Sequence, residues 1–536
     1  MLPFAALSRA FSRAPFVKVT IDEAIAPRLT SDGRLYVPPH LLRAAAERAF
    51  HDLAFYFRES YLRLLHGALA DPAASANDRF VIGSLLRNAE AAAEGVLASC
   101  QDTGTAGVLV WKDEAVFCGA DERVELEHGI AAAYRANCLR ASQTIPVTFF
   151  DEKPDSANLP AQVRVEAVPD SAFTDDRAGS PAYRFLFSAR GGGSANKTVF
   201  FPLTPALLEP AAFDAFLREK ITAIGTAACP PCQLAVVVGG QSPETNLDTL
   251  KLALAGALDF LPFFDQDNDE RGAEGAAPAR RDRRWEERAL QIGRDSGWGA
   301  QFGGAAFLLS ARVIRLPRHA ASCPVSLGVS CAAHRYLLAR ITAGGLFVER
   351  LCREPRALFP SPPPAGEGHP VNLDLPQEAL LRELAGLAAG TLLRLSGRLV
   401  LARDQAHLRW HGLIEAGKAL PAYLYRHPVF YAGPAETPPG LPSGSLGPTT
   451  ASRMDPYAEE LLSRGASMVT LGKGNRGPAW DAARARYGAC YLAAPGGIAA
   501  LIAKEHISAS EVLDYPELGM EAVRLVTVKD LPAFVG

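Results

Sequence analysis

The chain has no surplus of charge of either sign: 55 Lys and Arg stand against 58 Asp and Glu in 536 residues. A balanced surface carries no field that would gather a polyanion, so a nucleic-acid partner has no electrostatic support. Any anionic ligand must be met by a local cluster of cations. Nor is there an unbroken apolar run of about 18 residues, the length a membrane span needs. The best candidate, 252–264, is interrupted at Asp259 and preceded by Lys251, and no membrane partner is expected. Residues 1–21 contain no acid and no long apolar stretch, which excludes a secretory signal. Arg9, Arg13 and Lys18 alternate there with Ser8, Ser12, Phe4, Phe11 and Phe16. That composition suits a mitochondrial presequence or, equally, an ordinary frayed N-terminus of a cytoplasmic protein. A disulfide framework is missing too, because the nine cysteines are odd in number and irregularly spaced. Each thiol is expected to be reduced, and to serve as a small core residue or a metal ligand.

A content of 48% hydrophobic and 21% charged residues describes a globular chain with ample core. Its length implies about two to four domains. From Pro38 to Ser99 apolar residues recur at three- and four-residue steps, as in Leu41, Leu42, Ala45, Ala49, Phe50 and Leu53, which predicts helices. A further helix is predicted over Gly129–Ser142, carrying Arg135 and Arg140. Strands are predicted at Val147–Phe150, Gln162–Val168, Tyr183–Ala189, Thr198–Phe201, Leu234–Val238, Ala305–Leu309 and Arg312–Leu316. The charged stretch Asp265–Arg284 reads as a solvated insertion. Six prolines between 354 and 370 mark an extended linker. The expected organisation is therefore a possible presequence at 1–21, an N-terminal domain at 22–353, the linker at 354–370 and a C-terminal α/β domain at 371–536.

Two glycine motifs are misleading. Gly191-Gly192-Gly193-Ser194-Ala195-Asn196-Lys197-Thr198 approaches a P-loop, but Asn196 replaces the glycine before the lysine and a strand follows instead of a helix. Gly472-Lys473-Gly474-Asn475-Arg476-Gly477 fits G-x-G-x-x-G, yet no acid between Ala482 and Lys504 is available for ribose hydroxyls. A lysine on a glycine turn, near a small anion, fits better.

Three cysteines sit in loops beside glycine, proline or polar residues: Cys100 in Ser-Cys-Gln-Asp-Thr-Gly, Cys229 in Gly-Thr-Ala-Ala-Cys-Pro-Pro, and Cys331 in Gly-Val-Ser-Cys-Ala-Ala. They do not form the paired ends of a zinc site, and Cys229-Pro-Pro-Cys232 lacks the βαβ setting of a thiol redox motif. Together with Gly-Gly-Gly-Ser-Ala-Asn-Lys, Gln-Phe-Gly-Gly (301–304), Arg-Leu-Pro-Arg-His, Ala-Arg-Asp-Gln-Ala-His (402–407), Gly-Pro-Thr-Thr-Ala-Ser-Arg-Met-Asp (447–455) and Gly-Lys-Gly-Asn, these blocks resemble the class I, iron-sulfur fumarate hydratases in order and over about residues 95–500.

That resemblance implies an α/β fold: an N-terminal α+β cluster-binding domain with mixed sheets and flanking helices, and a smaller C-terminal α/β swivelling domain. It implies a 4Fe-4S cluster on Cys100, Cys229 and Cys331; three thiolates for four irons leave one iron open to act as a Lewis acid. It implies a dicarboxylate substrate, fumarate or L-malate, bound by Gln101, Arg140, Gly193, His319, Arg403, Arg453 and Lys473 between the domains. Arginine suits such anions because its planar fork meets a carboxylate with two hydrogen bonds. Asp102 is implied as the acid/base on the hydroxyl side and Thr449 for the carbon proton. A threonine needs neighbouring cations to act so, and Lys473 could assist it or be the base itself if desolvation lowers its pKa. The family also implies a homodimer. Ala320, His334 and Cys232 depart from the family's pattern. The alternatives are a dehydratase for tartrate or mesaconate, and a cluster-bearing sensor without turnover, for which Asp102 and a ring of carboxylate-binding side chains would be superfluous. His407 is expected either to orient its loop or to touch substrate, and Arg318 to pin its turn.

Overall fold

A computed structural model describes residues 4–169, 171–173, 181–264, 279–359 and 367–536. Most of the charged insertion (265–278) and the prolines at 360–364 lie outside the described residues.

The helix Pro39–Phe55 begins with proline at its first position, where the missing N–H costs nothing. Its apolar stripe, including Leu41, Phe50 and Leu53, buries against Val108, Val110, Phe185 and Phe187 of a six-stranded sheet. That sheet runs Phe16–Lys18, Gly345–Glu349, Tyr336–Thr342, Tyr183–Arg190, Thr105–Asp113, Gln162–Val168 across its width. Trp111, Leu186 and Leu338 bury in a second core with Leu7 and Phe11 of the helix Phe4–Arg13. The segment compatible with a presequence is thus packed: Leu7 and Phe11 are 0% and 1% exposed, and Phe16–Lys18 forms the sheet's edge.

A five-stranded sheet centres on Cys232–Gly240, an apolar strand buried along its whole length. Such a run without alternation is what a strand covered on both faces requires. The third sheet, of seven strands between His369 and Val535, has three parallel neighbours in succession after Leu392–Leu401: Val429–Phe430, Val469–Gly472 and Cys490–Ala493 follow it. The long strand Val523–Val535 pairs antiparallel with both Cys490–Ala493 and Leu392–Leu401, closing the sheet on itself.

Three local expectations are corrected. The helix carrying Arg135 is Glu122–Ala136; Asn137 caps it and Cys138 turns left-handed (φ 50°), so Arg140 lies beyond the helix, not on it. Val147–Phe150 is not a strand but the tip of the hairpin joining Thr144–Pro146 to Glu152–Pro154, with Phe149 92% exposed. β-branched and aromatic content alone could not distinguish a strand from an exposed tip. The two strands predicted around 305–316 are one, Leu308–Arg318, because it runs parallel to the full length of Cys232–Gly240.

Candidate functional site

All three loop cysteines stand at strand ends of the first two sheets. Cys100 ends the approach to Thr105–Asp113, Cys229 precedes Cys232–Gly240 and Cys331 follows Cys323–Ser330. Backbone contacts draw the loops together: Ala332 N–H donates to the Cys229 carbonyl at 3.1 Å. The Cys100 turn is fixed from below by Tyr134, whose buried hydroxyl lies 3.0 Å from the Thr103 carbonyl and 2.8 Å from that of Gly104. Thr103 Oγ1 donates to the Arg140 carbonyl.

Asp102 accepts a hydrogen bond from the Gly192 amide at 2.8 Å and pairs with Arg140 at 3.5 Å. A β-carbon on Gly191 would come within 2.8 Å of its carboxylate, so the glycine run serves close approach rather than a phosphate. Burial would raise the Asp102 carboxyl, but Arg140, Arg335, Lys473 and the Gly192 amide together hold it below the ordinary carboxylate value.

The opposing residues come from beyond the prolines, and they sit after the carboxyl ends of parallel strands, the usual place for ligands in α/β sheets. Arg403 follows Leu392–Leu401, Gly433 follows Val429–Phe430, and Lys473 follows Val469–Gly472. Gln101 Nε2 donates to the Pro448 carbonyl at 3.2 Å, Arg140 Nη1 to the Gly433 carbonyl at 3.4 Å, and Lys473 Nζ to Cys229 Sγ at 3.0 Å. The two halves therefore meet around the cysteines. Arg453 grips Asp404 through two nitrogens and donates to Thr449 Oγ1 at 3.0 Å. Burial and the neighbouring Arg140 and Arg453 bring Arg403 down to about 10, against the pull of Glu521 3.4 Å away. Each of the three guanidiniums already faces one carboxylate, Asp102, Glu521 or Asp404, and the mutual repulsion among them is what a further anion, such as a dicarboxylate, would relieve.

The donor set fits an iron-sulfur group. Three free thiols are soft ligands; burial pushes Cys100 up to about 11, with Asp102, Cys331 and Cys229 adding to the rise. Among the described residues no three ligating side chains converge as tightly as around a single ion, and a cluster spans its ligands more widely. Buried donors point the same way: among the described residues, Nε of Arg140 and of Arg403, and both Nε and Nη2 of Arg335, meet no hydrogen-bond acceptor.

Not every expected residue joins the site. His319 is exposed on a loop whose carbonyls at 319, 320 and 322 are held by Arg318 Nη1, and it makes no hydrogen bond to another candidate. Gly193 opens onto the site, an added β-carbon lying 3.4 Å from Lys473 Nζ, although the amide that reaches Asp102 is that of Gly192. His407 lies behind the site: 1% exposed, it holds the Arg403 carbonyl at 2.8 Å, and burial lowers it to about 4. Lys473 is not a low-pKa amine. Burial would lower it, but Cys229, Cys100 and Asp102 outweigh that and keep it an ammonium. Of the departures, His334 is buried, bonded to Ser330 Oγ at 2.8 Å and packed against Tyr61, while Cys232 lies in the core of the five-stranded sheet. Sequence reasoning missed Thr103, Tyr134 and Arg335. Arg335, four residues past Cys331, carried the one hint in the sequence: a charged residue directly before the apolar run 336–339.

Comparison with known proteins covers both halves. A family model described as fumarate hydratase (fumerase) matches residues 43–340, and one described as fumarase C-terminus matches 345–536. Fumarate hydratase class I, anaerobic, of Escherichia coli (strain K12) is 44% identical over 94% of this chain and 89% of its own length. Fumarate hydratase 2 of Leishmania major is 44% identical over 97% and 89%, and fumarate hydratase 1, mitochondrial, of the same organism 41% over 94% and 89%.

Proposed function

Because the chain belongs to the class I fumarate hydratase family and is thus a hydro-lyase, we propose that it interconverts fumarate and L-malate at the junction of the three cysteine loops with the C-terminal strands. The observation that carries this reading is the meeting of Cys100, Cys229, Asp102 and Arg140 with Lys473, Gly433 and Arg403 across the two halves.

In this reading Cys100, Cys229 and Cys331 hold a 4Fe-4S cluster, which when bound supplies a Lewis-acidic iron lacking a protein thiolate. The chain's own groups do the rest. Arg140, Arg403 and Arg453 bind the two carboxylates, with Gln101, the Gly193 amide and Lys473 completing the fit. Asp102, held ionised by its cationic neighbours, takes a proton from water during hydration and returns it to the departing hydroxyl in the reverse direction. Thr449 handles the carbon proton; the Arg453 guanidinium on its oxygen favours its ionised form, and Asp404 keeps that guanidinium in place. Lys473, as an ammonium, assists as a cation rather than as the base. His319, exposed on its loop, is a further candidate for a substrate carboxylate. Two copies are expected to form a homodimer. A mitochondrial location fits a route that keeps residues 4–18, since their side chains and edge strand belong to the fold; a cytoplasmic one fits them equally.

Anaerobically purified protein assayed on fumarate, L-malate, tartrate and mesaconate tests this. Fumarate and L-malate should be the preferred pair; exclusive turnover of tartrate or mesaconate would overturn the substrate assignment.

A further inference from the structure

Among the described residues the Gln301 side chain hydrogen-bonds to no substrate-binding candidate, yet its backbone and side chain are both unusual. Its φ of 89° places it in the left-handed region that disfavours a β-carbon, and it is 7% exposed. Strain of this kind persists only where surrounding bonds hold it, and here the side-chain amide is saturated. Nε2 donates to the Pro230 carbonyl at 2.9 Å and to the Gly496 carbonyl at 3.1 Å, while Oε1 accepts from the Gly496 amide at 2.7 Å.

The two partners are telling. Pro230 directly follows Cys229. Gly496 lies against the same thiol: a β-carbon there would stand 2.4 Å from Cys229 Sγ and 3.4 Å from Lys473 Cδ. One amide thus ties the loop that carries the second cysteine to the C-terminal loop that covers it, and the covering loop also touches the lysine stem.

We propose that Gln301 is a positioning residue that clamps the Gly496 loop over Cys229, shutting water and small reagents away from that side of the site and holding Lys473 in register. The bonds it makes are to peptide groups, which are costly to leave buried and unpaired, so without it the cover opens rather than staying closed and unsatisfied. The clamp's value to the enzyme rests on the proposed role of Cys229 as a cluster ligand; the clamp itself is a property of the chain alone.

The test uses the full chain with Gln301→Ala, Gln301→Glu and, as a control for general stability, Leu258→Ala, which hollows a core containing no site residue. In cluster-free protein, alkylation of each cysteine is followed by peptide mass. Gln301→Ala should speed labelling of Cys229 about tenfold relative to Cys331, and Gln301→Glu, which keeps only the acceptor for the Gly496 amide, should give a smaller rise. Leu258→Ala should leave the Cys229 to Cys331 ratio unchanged. In anaerobically purified holoenzyme, a chelator should strip iron from Gln301→Ala about tenfold faster than from wild type. Wild-type labelling at Cys229 in Gln301→Ala, or an equal rise at every cysteine, would overturn the clamp. Wild-type protein that binds no iron would sink the cluster reading while the labelling still reads the clamp; iron bound by wild type and lost at the same rate from Gln301→Ala would sink the clamp alone.

Discussion

Replacing Asp102 by asparagine isolates the proton-carrying step from everything else the side chain does. The amide is the same size, and its oxygen can still accept the Gly192 N–H now 2.8 Å away. What disappears is the proton carrier and the charge facing Arg140 at 3.5 Å, and Arg140 keeps the Gly433 carbonyl as a partner. A general acid/base is worth about 100- to 10,000-fold in rate, so kcat for fumarate hydration should fall by that factor, about 3–5 kcal/mol of transition-state stabilisation. KM should change by only about threefold, because Asp102 contacts no substrate carboxylate in this account. The assay is anaerobic steady-state kinetics with each rate divided by bound iron, since Cys100 is two residues away. A per-iron kcat within about tenfold of wild type would remove Asp102 from the proton path.

Three further outcomes are expected. Cys229→Ser should abolish iron binding, whereas Cys232→Ser should leave it largely intact, because Cys232 faces the core of the five-stranded sheet; iron analysis reversing that order would refute the ligand choice. His407 is buried neutral with its pKa lowered from 6.5 to about 4, so below pH 6.5 the unfolded chain takes up a proton that the folded chain refuses, and stability falls as pH falls. Between pH 7 and 5 this one group should cost about 2 kcal/mol, seen as a urea-midpoint shift that His407→Phe lacks; identical pH slopes in the two proteins would contradict it. Deleting residues 2–18 removes Leu7 and Phe11 from the core and an edge strand from the first sheet. At about 1.5–3 kcal/mol per large buried side chain the truncated chain should lose at least 3–6 kcal/mol, and unchanged thermal unfolding would show that the segment is dispensable.

Sequence periodicity was most informative where burial is one-sided or complete. The stripe through Leu41, Phe50 and Leu53 and the apolar run of Cys232–Gly240 announced their elements because each pattern follows directly from which faces are covered. It failed where a single residue decides the local path: Cys138 in a left-handed turn moved Arg140 off its helix, and the hairpin tip at Phe149 and Phe150 mimicked a strand. For the site, the cysteine loops were legible as a group because their blocks resemble those of the iron-sulfur family, and the structure draws the Cys229 and Cys331 loops together. Tyr134, Thr103 and Arg335 were not, since a buried tyrosine, threonine or arginine gains its meaning only from partners remote in sequence. The same holds for Lys473, for which desolvation left a lowered pKa open as one alternative; Cys229, Cys100 and Asp102 beside it raise it instead.

The most direct test of the account follows iron and activity together. Fumarate hydration should be measured on protein purified without oxygen, on the same sample stripped of iron, and on the stripped sample reconstituted with iron and sulfide. About four iron and four sulfide per active chain are expected, with loss of hydration on stripping and its return in proportion to the iron restored. Full hydration activity in the stripped protein would contradict it.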